Sequence, residues 1–142
     1  MKNLLVAVDG SESAQKAAEK ALELAKALSA KVTIISVSAP ALAPLRIQGV
    51  APHYNELLEM QRKQAQETAE GYRGFFEKEN LEVSIVTRQG DPATEIIQAS
   101  GADDYYMLIV GSRGLTGIKR AVIGSVANYV IQGSKVPVLV VT

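Results

Sequence analysis

The chain has 142 residues, 47% of them hydrophobic, so it suits one compact domain over residues 1–142 and is too short for two ordinary ones. Its 15 basic residues balance 15 acidic ones, which excludes the broad positive field that attracts nucleic acid or an anionic membrane. The absence of cysteine suits a reducing cytoplasm, and no apolar run has the length of a membrane span or a signal-peptide core. We therefore expect a cytoplasmic protein that contacts neither nucleic acid nor membrane.

Short runs of branched aliphatic residues alternate along the chain with longer segments of helical period. This alternation is typical of crossover units around a parallel β-sheet. The five predicted strands are Asn3 to Asp9, Lys31 to Ser38, Leu81 to Arg88, Tyr106 to Gly111 and Val136 to Val141.

Apolar residues recurring at steps of three and four predict the first two helices. One lies between the first two strands, with an alanine-rich stripe from Ala14 to Leu28. The next runs from about Tyr54 to Lys78, and Gln61 interrupts its apolar stripe.

Capping residues predict two further helices. One opens at Asp91-Pro92, because aspartate caps free amides and proline suits the first helical position, and it ends at Gly101. The last begins near Gly124-Ser125 and ends at Gly133, whose freedom at positive φ suits a helix end. Its inward-facing residues are predicted to be Val126, Ala127, Val130 and Ile131.

Right-handed crossovers covering both faces of such a sheet predict a doubly wound α/β fold with strand order 3-2-1-4-5. The direction of growth then reverses between strands one and four, and ligands of such sheets bind at the C-terminal ends of the flanking strands. Those ends carry Val8-Asp9-Gly10 and Gly111-Ser112-Arg113-Gly114. Topology therefore predicts a ligand site that joins these two segments.

Glycine residues are concentrated at the same predicted ligand site. Gly111 and Gly114 follow the fourth strand, and nine residues later Gly124-Ser125 opens the last helix. The free amides of a helix start favour an anion, and glycine lets the main chain approach it. The P-loop spacing and the dinucleotide fingerprint G-x-G-x-x-G are both absent, so the pattern predicts another kind of phosphate site.

The pattern G, two residues, G, nine residues, then G-S resembles that of the nucleotide-binding members of the universal stress protein family. Three less specific stretches also resemble family positions, so the similarity spans nearly the whole chain: Leu4 to Ser11, Gly90 to Ala93 and Val136 to Val141. The resemblance implies ATP as ligand, with Mg²⁺ or Mn²⁺, and a homodimer formed through Val136 to Val141.

The resemblance also implies roles for individual residues. Gly111 and Gly114 would approach the ribose and phosphates, and Asp9 would lie beside the nucleotide or help to hold the cation. The main chain of Val37 would face adenine, with Val8 on the same wall. The phosphate tail would meet the Ser125 hydroxyl and the amides of Gly124, Ser125, Val126 and Ala127.

From the residues alone, several of these roles have alternatives. Asp9 suits a cap for the first helix and Ser125 a cap for the last, while Arg113 suits either a phosphate contact or a solvated surface. Lys119 and Arg120 have the same two alternatives as Arg113, with a solvated surface favoured for both, whereas His53 has no assigned role. Asp103-Asp104 fits a solvated turn better than a metal pair.

The function expected is that of an ATP-binding universal stress protein with a nucleotide-dependent stress-response or signalling role. We see no catalytic base, so we expect at most slow ATP hydrolysis. An adenylating or nucleotidyl-transferring enzyme on a related fold is the first alternative, although the His-rich or Ser-Gly-Gly loop of such enzymes is missing after strand one. A nucleotide-free interaction module is the second, and the intact glycine pattern argues against it.

Overall fold

The computed structural model describes residues 1–38, 54–113 and 123–142. Strands and helices alternate in the predicted sequence, with ends that differ from the predicted ones by at most two residues. The elements are β1 (Asn3–Ala7), α1 (Glu12–Leu28), β2 (Lys31–Ser38), α2 (Tyr54–Glu77), β3 (Val83–Gln89), α3 (Pro92–Ser100), β4 (Met107–Gly111), α4 (Ser125–Gly133) and β5 (Val138–Val141).

The sheet has five parallel strands in the order β3-β2-β1-β4-β5, which confirms the predicted order and fold class. β1 lies at the centre, with Leu5 paired to Thr33 of β2 on one side and to Leu108 of β4 on the other. The direction of growth therefore reverses between β1 and β4, as predicted, and a crevice is expected at their C-terminal ends.

Two apolar layers cover the two faces of the sheet. Leu4 and Val6 of β1 face a layer built with α1 and α2, whereas Leu5 faces a layer built with α3 and α4. Because successive side chains of a strand point to opposite faces, a central strand such as β1 reads as a continuous apolar run. This burial on both faces fixes the sheet beneath the crevice.

Polar side chains cap two of the helices. The Ser11 hydroxyl accepts a hydrogen bond from the Ala14 N–H at 3.0 Å, so Ser11 is the N-cap of α1. The Asp91 carboxylate accepts from the Thr94 N–H at 3.0 Å, as predicted for α3. Hydrogen bonds from the Thr94 hydroxyl and N–H lower the pKa of Asp91.

The C-terminal end of α4 differs from the prediction in two respects. Gly133 does not take positive φ; instead, a Cβ at this position would lie 2.7 Å from the Ile97 side chain, so the glycine allows α4 to approach α3 closely. The Ser134 N–H closes the helix by donating to the Val130 carbonyl. Ile131 was predicted to face inward but is 44% exposed, because the short helix buries only Ala127 and Val130 fully.

Candidate functional site

A cavity of about 500 Å³ lies at the C-terminal edge of the sheet. The ends of β1, β2 and β4, the start of α4 and one side of α2 line it. It includes nine of the ten predicted site residues: Val8, Asp9, Val37, Gly111, Arg113, Gly124, Ser125, Val126 and Ala127. The tenth, Gly114, lies outside the described residues. The structure thus brings the predicted residues together, and their contact with a ligand stays a prediction.

The first turn of α4 opens onto this cavity. Gly124 is the N-cap, in extended conformation at φ −65° and ψ 164°, and no side chain of the described residues caps the helix. Ser125 is therefore the first helical residue, and the alternative that it is the N-cap is wrong. In an α-helix the first-turn N–H groups have no intrahelical acceptor. Those of Ser125, Val126 and Ala127 belong to residues that line the cavity, so this end of it can bind an anion.

A hydrogen bond ties the start of α4 to the end of β4. The Gly124 N–H donates to the Ser112 carbonyl oxygen at 2.6 Å, and the Ser112 N–H donates to the Val141 carbonyl oxygen at 2.9 Å. The end of β4 is thus bonded both to the edge strand β5 and to the helix start. This arrangement fixes the α4 amides relative to the sheet. It also engages the Gly124 N–H, so of the four amides predicted to meet the phosphate tail, that of Gly124 is already bonded to the main chain.

Gly111 has a packing role that the sequence did not reveal. A Cβ at Gly111 would lie 2.3 Å from the Ser13 Oγ and 2.7 Å from the Ser13 carbonyl oxygen, both in the first turn of α1. The same Ser13 hydroxyl accepts a hydrogen bond from the Arg113 N–H at 3.1 Å. The glycine therefore lets α1 touch the end of β4, in addition to lining the cavity.

Asp9 stands at the rim of the cavity, just beyond β1. Its Oδ1 accepts a hydrogen bond from the Ser11 N–H at 2.9 Å, and Gly10 turns the chain at φ +82°. Ser11 caps α1, so the alternative that Asp9 caps this helix is wrong. Among the described residues that line the cavity, Asp9 and Arg113 are the charged ones, and they carry opposite charges.

The Asp9 carboxylate affects the pKa of a neighbouring tyrosine. Burial raises the pKa of Tyr72 on α2, and the carboxylates of Asp9 and Glu19 raise it further. Because an unperturbed tyrosine already titrates near pH 10, the phenol is neutral at pH 7. Tyr72 therefore adds no charge beside the site.

The wall contributed by α2 was not predicted as part of the site. Gln61, Gln64, Ala65 and Thr68 of this helix line the cavity, together with the buried Ser36 of β2. The interruption of the apolar stripe at Gln61 was the one sequence signal for this wall. Among the described residues, the Gln61 Oε1 is the buried side-chain oxygen or nitrogen that has no hydrogen-bond partner.

The remaining candidates lie elsewhere. Asp103 and Asp104 are exposed before β4, and the Asp103 carboxylate accepts a hydrogen bond from the Asp104 N–H. Within residues 1–38, 54–113 and 123–142, no group of three or more His, Cys, Asp and Glu side chains is arranged to hold a metal. The same ranges contain no helix long and apolar enough to span a bilayer. His53, Lys119 and Arg120 lie outside them.

Fold and site together define a doubly wound α/β protein that has a ligand crevice where the sheet changes direction and a helix start aimed into it. The chain belongs to the universal stress protein family, whose sequence model matches residues 1–142. It is 31% identical to the universal stress protein YxiE of Bacillus subtilis, over 97% of each chain.

Two solved structures show how widely this architecture is shared. The hypothetical protein MJ0577 superimposes with a TM-score of 0.85 at 28% identity, covering 99% of this chain and 94% of its own. A universal stress protein from Archaeoglobus fulgidus, solved in complex with dAMP, superimposes with a TM-score of 0.74 at 19% identity. That alignment covers 100% of this chain and 98% of the other, and at this identity it shows the fold alone.

Proposed function

We propose that this protein binds ATP with Mg²⁺ in the cytoplasm and uses nucleotide occupancy as the signal in a stress response. The observation that carries the proposal is the cavity in which the first-turn amides of α4, which have no acceptor within the helix, meet the ends of β1, β2 and β4. The chain's family includes a member solved with dAMP, and that family precedent favours an adenine nucleotide as the ligand class.

The two ends of the cavity differ chemically in a way that suits a nucleotide. The α4 start offers amides and the positive end of the helix dipole, which suit a phosphate chain. Ile35, Val37 and Ile96 supply an apolar surface near the end of β2, which suits a planar base. The phosphates are therefore assigned to α4 and the nucleoside to β2.

A magnesium ion would fit beside Asp9. Mg²⁺ in nucleotide sites is held by one or two carboxylates together with phosphate oxygens, and Asp9 is the acidic side chain among the described lining residues. When bound, the ion would neutralise part of the phosphate charge. Asp9 would hold it at the rim, and the turn at Gly10 fixes that carboxylate through the Ser11 N–H.

We expect hydrolysis of ATP to be slow at most. Phosphoryl transfer requires a group that positions the attacking water and cations that stabilise the transition state. Among the described residues that line the cavity, Asp9 is the acidic side chain and Arg113 the basic one. We therefore propose that the presence of bound nucleotide, rather than its hydrolysis, is the signal.

Calorimetric titration of the purified protein with ATP and Mg²⁺ tests this function. We expect saturable binding of one nucleotide per chain, weakened when Mg²⁺ is removed with a chelator. GTP under the same conditions serves as the comparison. Absence of heat with ATP, or release of pyrophosphate in the presence of candidate acids, would contradict the proposal, and the second result would favour an adenylating enzyme.

The proposal includes a homodimer formed through Val136 to Val141. Among the described strands β5 pairs with β4 alone and so forms an edge of the sheet, and its four residues are half-buried and uncharged. The carbonyl of Pro137 accepts a hydrogen bond from Leu108 of β4, and that of Val141 accepts one from Ser112, which directly follows β4. Main-chain groups two residues apart in a strand point to the same side, so those of Val138 and Val140 point away from β4. A second copy of the chain, paired along this strand, would supply hydrogen-bond partners for these main-chain groups.

Proline at position 140 tests this pairing. We expect Val140→Pro to convert a dimer into a monomer at micromolar concentration, because proline removes an outward N–H without removing a bond to β4. Val140→Ala is the matched control, since it shortens the side chain and keeps the N–H. Multi-angle light scattering measures both variants, and a monomeric wild-type protein would refute the dimer.

A further inference from the structure

We propose that the Gln61 side chain accepts a hydrogen bond from the nucleoside part of the bound nucleotide. The inference rests on the proposed function, because it assigns one wall of the same cavity. It adds a specificity-determining residue on α2, a helix that supplied none of the predicted site residues.

The state of the Gln61 amide is the starting point. Its Oε1 is shielded from solvent and has no hydrogen-bond partner, although the side chain lines the cavity beside Gln64 and Ala65. Burying a polar atom without a partner is unfavourable, and such atoms are rare in folded proteins. The terminal torsion of a glutamine side chain is soft, so the amide can turn toward the cavity that the side chain lines. A ligand that donates an N–H or O–H from the cavity would then supply the missing partner.

Helix geometry places Gln61 at the outer part of the cavity. Thr68 lies level with Gly10, since its Cγ2 is 4.0 Å from the position that a Cβ on Gly10 would take. Gln61 precedes Thr68 by seven residues, which corresponds to about 10 Å along an α-helix. The N-terminal part of α2, which carries Gln61, therefore extends beyond the C-terminal edge of the sheet.

Gln61 is also distant from the amides proposed to bind phosphate. α2 packs on the face of the sheet that carries α1, over β2 and β3, whereas α4 packs on the opposite face. β2 and β4 are separated by β1, which amounts to about 10 Å across the sheet. The nucleoside is assigned to the end of β2, the strand over which α2 packs, so the part of its base or sugar that lies beyond the end of the sheet is the part that can reach α2.

Two groups of an adenine nucleotide can donate this hydrogen bond. One is the exocyclic amine of the base, and the other is a ribose hydroxyl. Both are neutral donors, which fits an amide acceptor, and the phosphates have no comparable donor. Analogues that lack one donor each identify the source.

Gln61→Met is the test variant, because methionine has a similar length and lacks the acceptor. We expect it to weaken ATP binding about tenfold, the loss of roughly one hydrogen bond. Gln66→Met is the matched control: Gln66 lies on the exposed side of the same helix, where it donates to Glu70. The affinity of the Gln66→Met variant for ATP is expected to equal that of the wild type.

Titrations of wild type and Gln61→Met with 2′-deoxy-ATP, 3′-deoxy-ATP and purine riboside triphosphate, which lacks the 6-amino group, complete the experiment. We expect one analogue to bind both proteins equally, because it lacks the donor that Gln61 accepts. Thermal unfolding without nucleotide should show an equal or higher Tm for Gln61→Met, since the variant removes an unpartnered acceptor.

The outcomes separate this inference from the function on which it rests. Absence of ATP binding to the wild type overturns both. Tight binding to the wild type with equal binding to Gln61→Met overturns only the role of Gln61. A variant that weakens ATP and all three analogues alike, or that unfolds several degrees earlier, has a structural defect and also overturns that role.

Discussion

Replacing Gly124 with aspartate is expected to lower ATP affinity at least about 100-fold while the fold keeps its stability. The new carboxylate would stand at the N-cap of α4, where it accepts from the amides assigned to the phosphates and repels their charge. Gly124 has extended φ and ψ, which aspartate adopts without strain at an N-cap. The free energy of unfolding should rise by about 0.5 kcal/mol from capping and the helix dipole.

Gly124→Asn is the control that isolates charge from shape. Asparagine caps a helix about as well as aspartate but carries no charge, so we expect it to weaken ATP binding far less. Isothermal titration gives the affinities, and urea unfolding without nucleotide gives the stabilities. Equal ATP binding by wild type and Gly124→Asp would remove the start of α4 from the phosphate site.

The second large effect concerns packing rather than binding. Gly111→Ala is expected to lower the free energy of unfolding by about 3 kcal/mol, because the added methyl collides with the main chain of Ser13 and forces α1 away from β4. The collision involves backbone atoms, so rotation of a side chain cannot relieve it. The Arg113 N–H bond to the Ser13 hydroxyl would be strained as well.

Gly71→Ala is the same chemical change and is expected to have the opposite effect on the free energy of unfolding. Gly71 lies inside α2, and apart from the adjoining backbone of this helix no atom of the described residues lies within 4 Å of the position that its Cβ would take. Alanine there should raise the free energy of unfolding by about 0.5–1 kcal/mol, since glycine is a poor helix former. Urea unfolding of both variants measures the difference, and equal stabilities would contradict the assigned contact between Gly111 and Ser13.

Most of the fold was predictable because its signals are local. Five aliphatic runs separated by helical segments specify a doubly wound parallel sheet, and Asp91-Pro92 marks the start of α3 at the observed residue. Contacts between distant segments carry no such signal. Gly133 resembles a helix terminator in sequence, yet its small size serves the approach of Ile97, which lies 36 residues earlier in the chain.

The location of the site was predictable for a different reason. The sheet reverses beside β1 and β4, and the glycines that follow β4 lie at that reversal, so topology and composition selected the same edge. The α2 wall was not predicted, because an apolar stripe indicates only that a helix packs on the core. It does not indicate whether the N-terminal turns of the helix cover the sheet or extend past its C-terminal edge. Gln61 became informative only when the height of α2 above Gly10 was known.

The hydrogen bond between the Gly124 N–H and the Ser112 carbonyl has an evolutionary consequence. It joins the two ends of the chain segment that separates β4 from α4, so the helix start takes its position from the sheet. Because the donor and the acceptor are both main-chain groups, substitution of the Ser112 side chain leaves the bond in place. Selection can therefore change the side chain at this position while the anion-binding framework is retained.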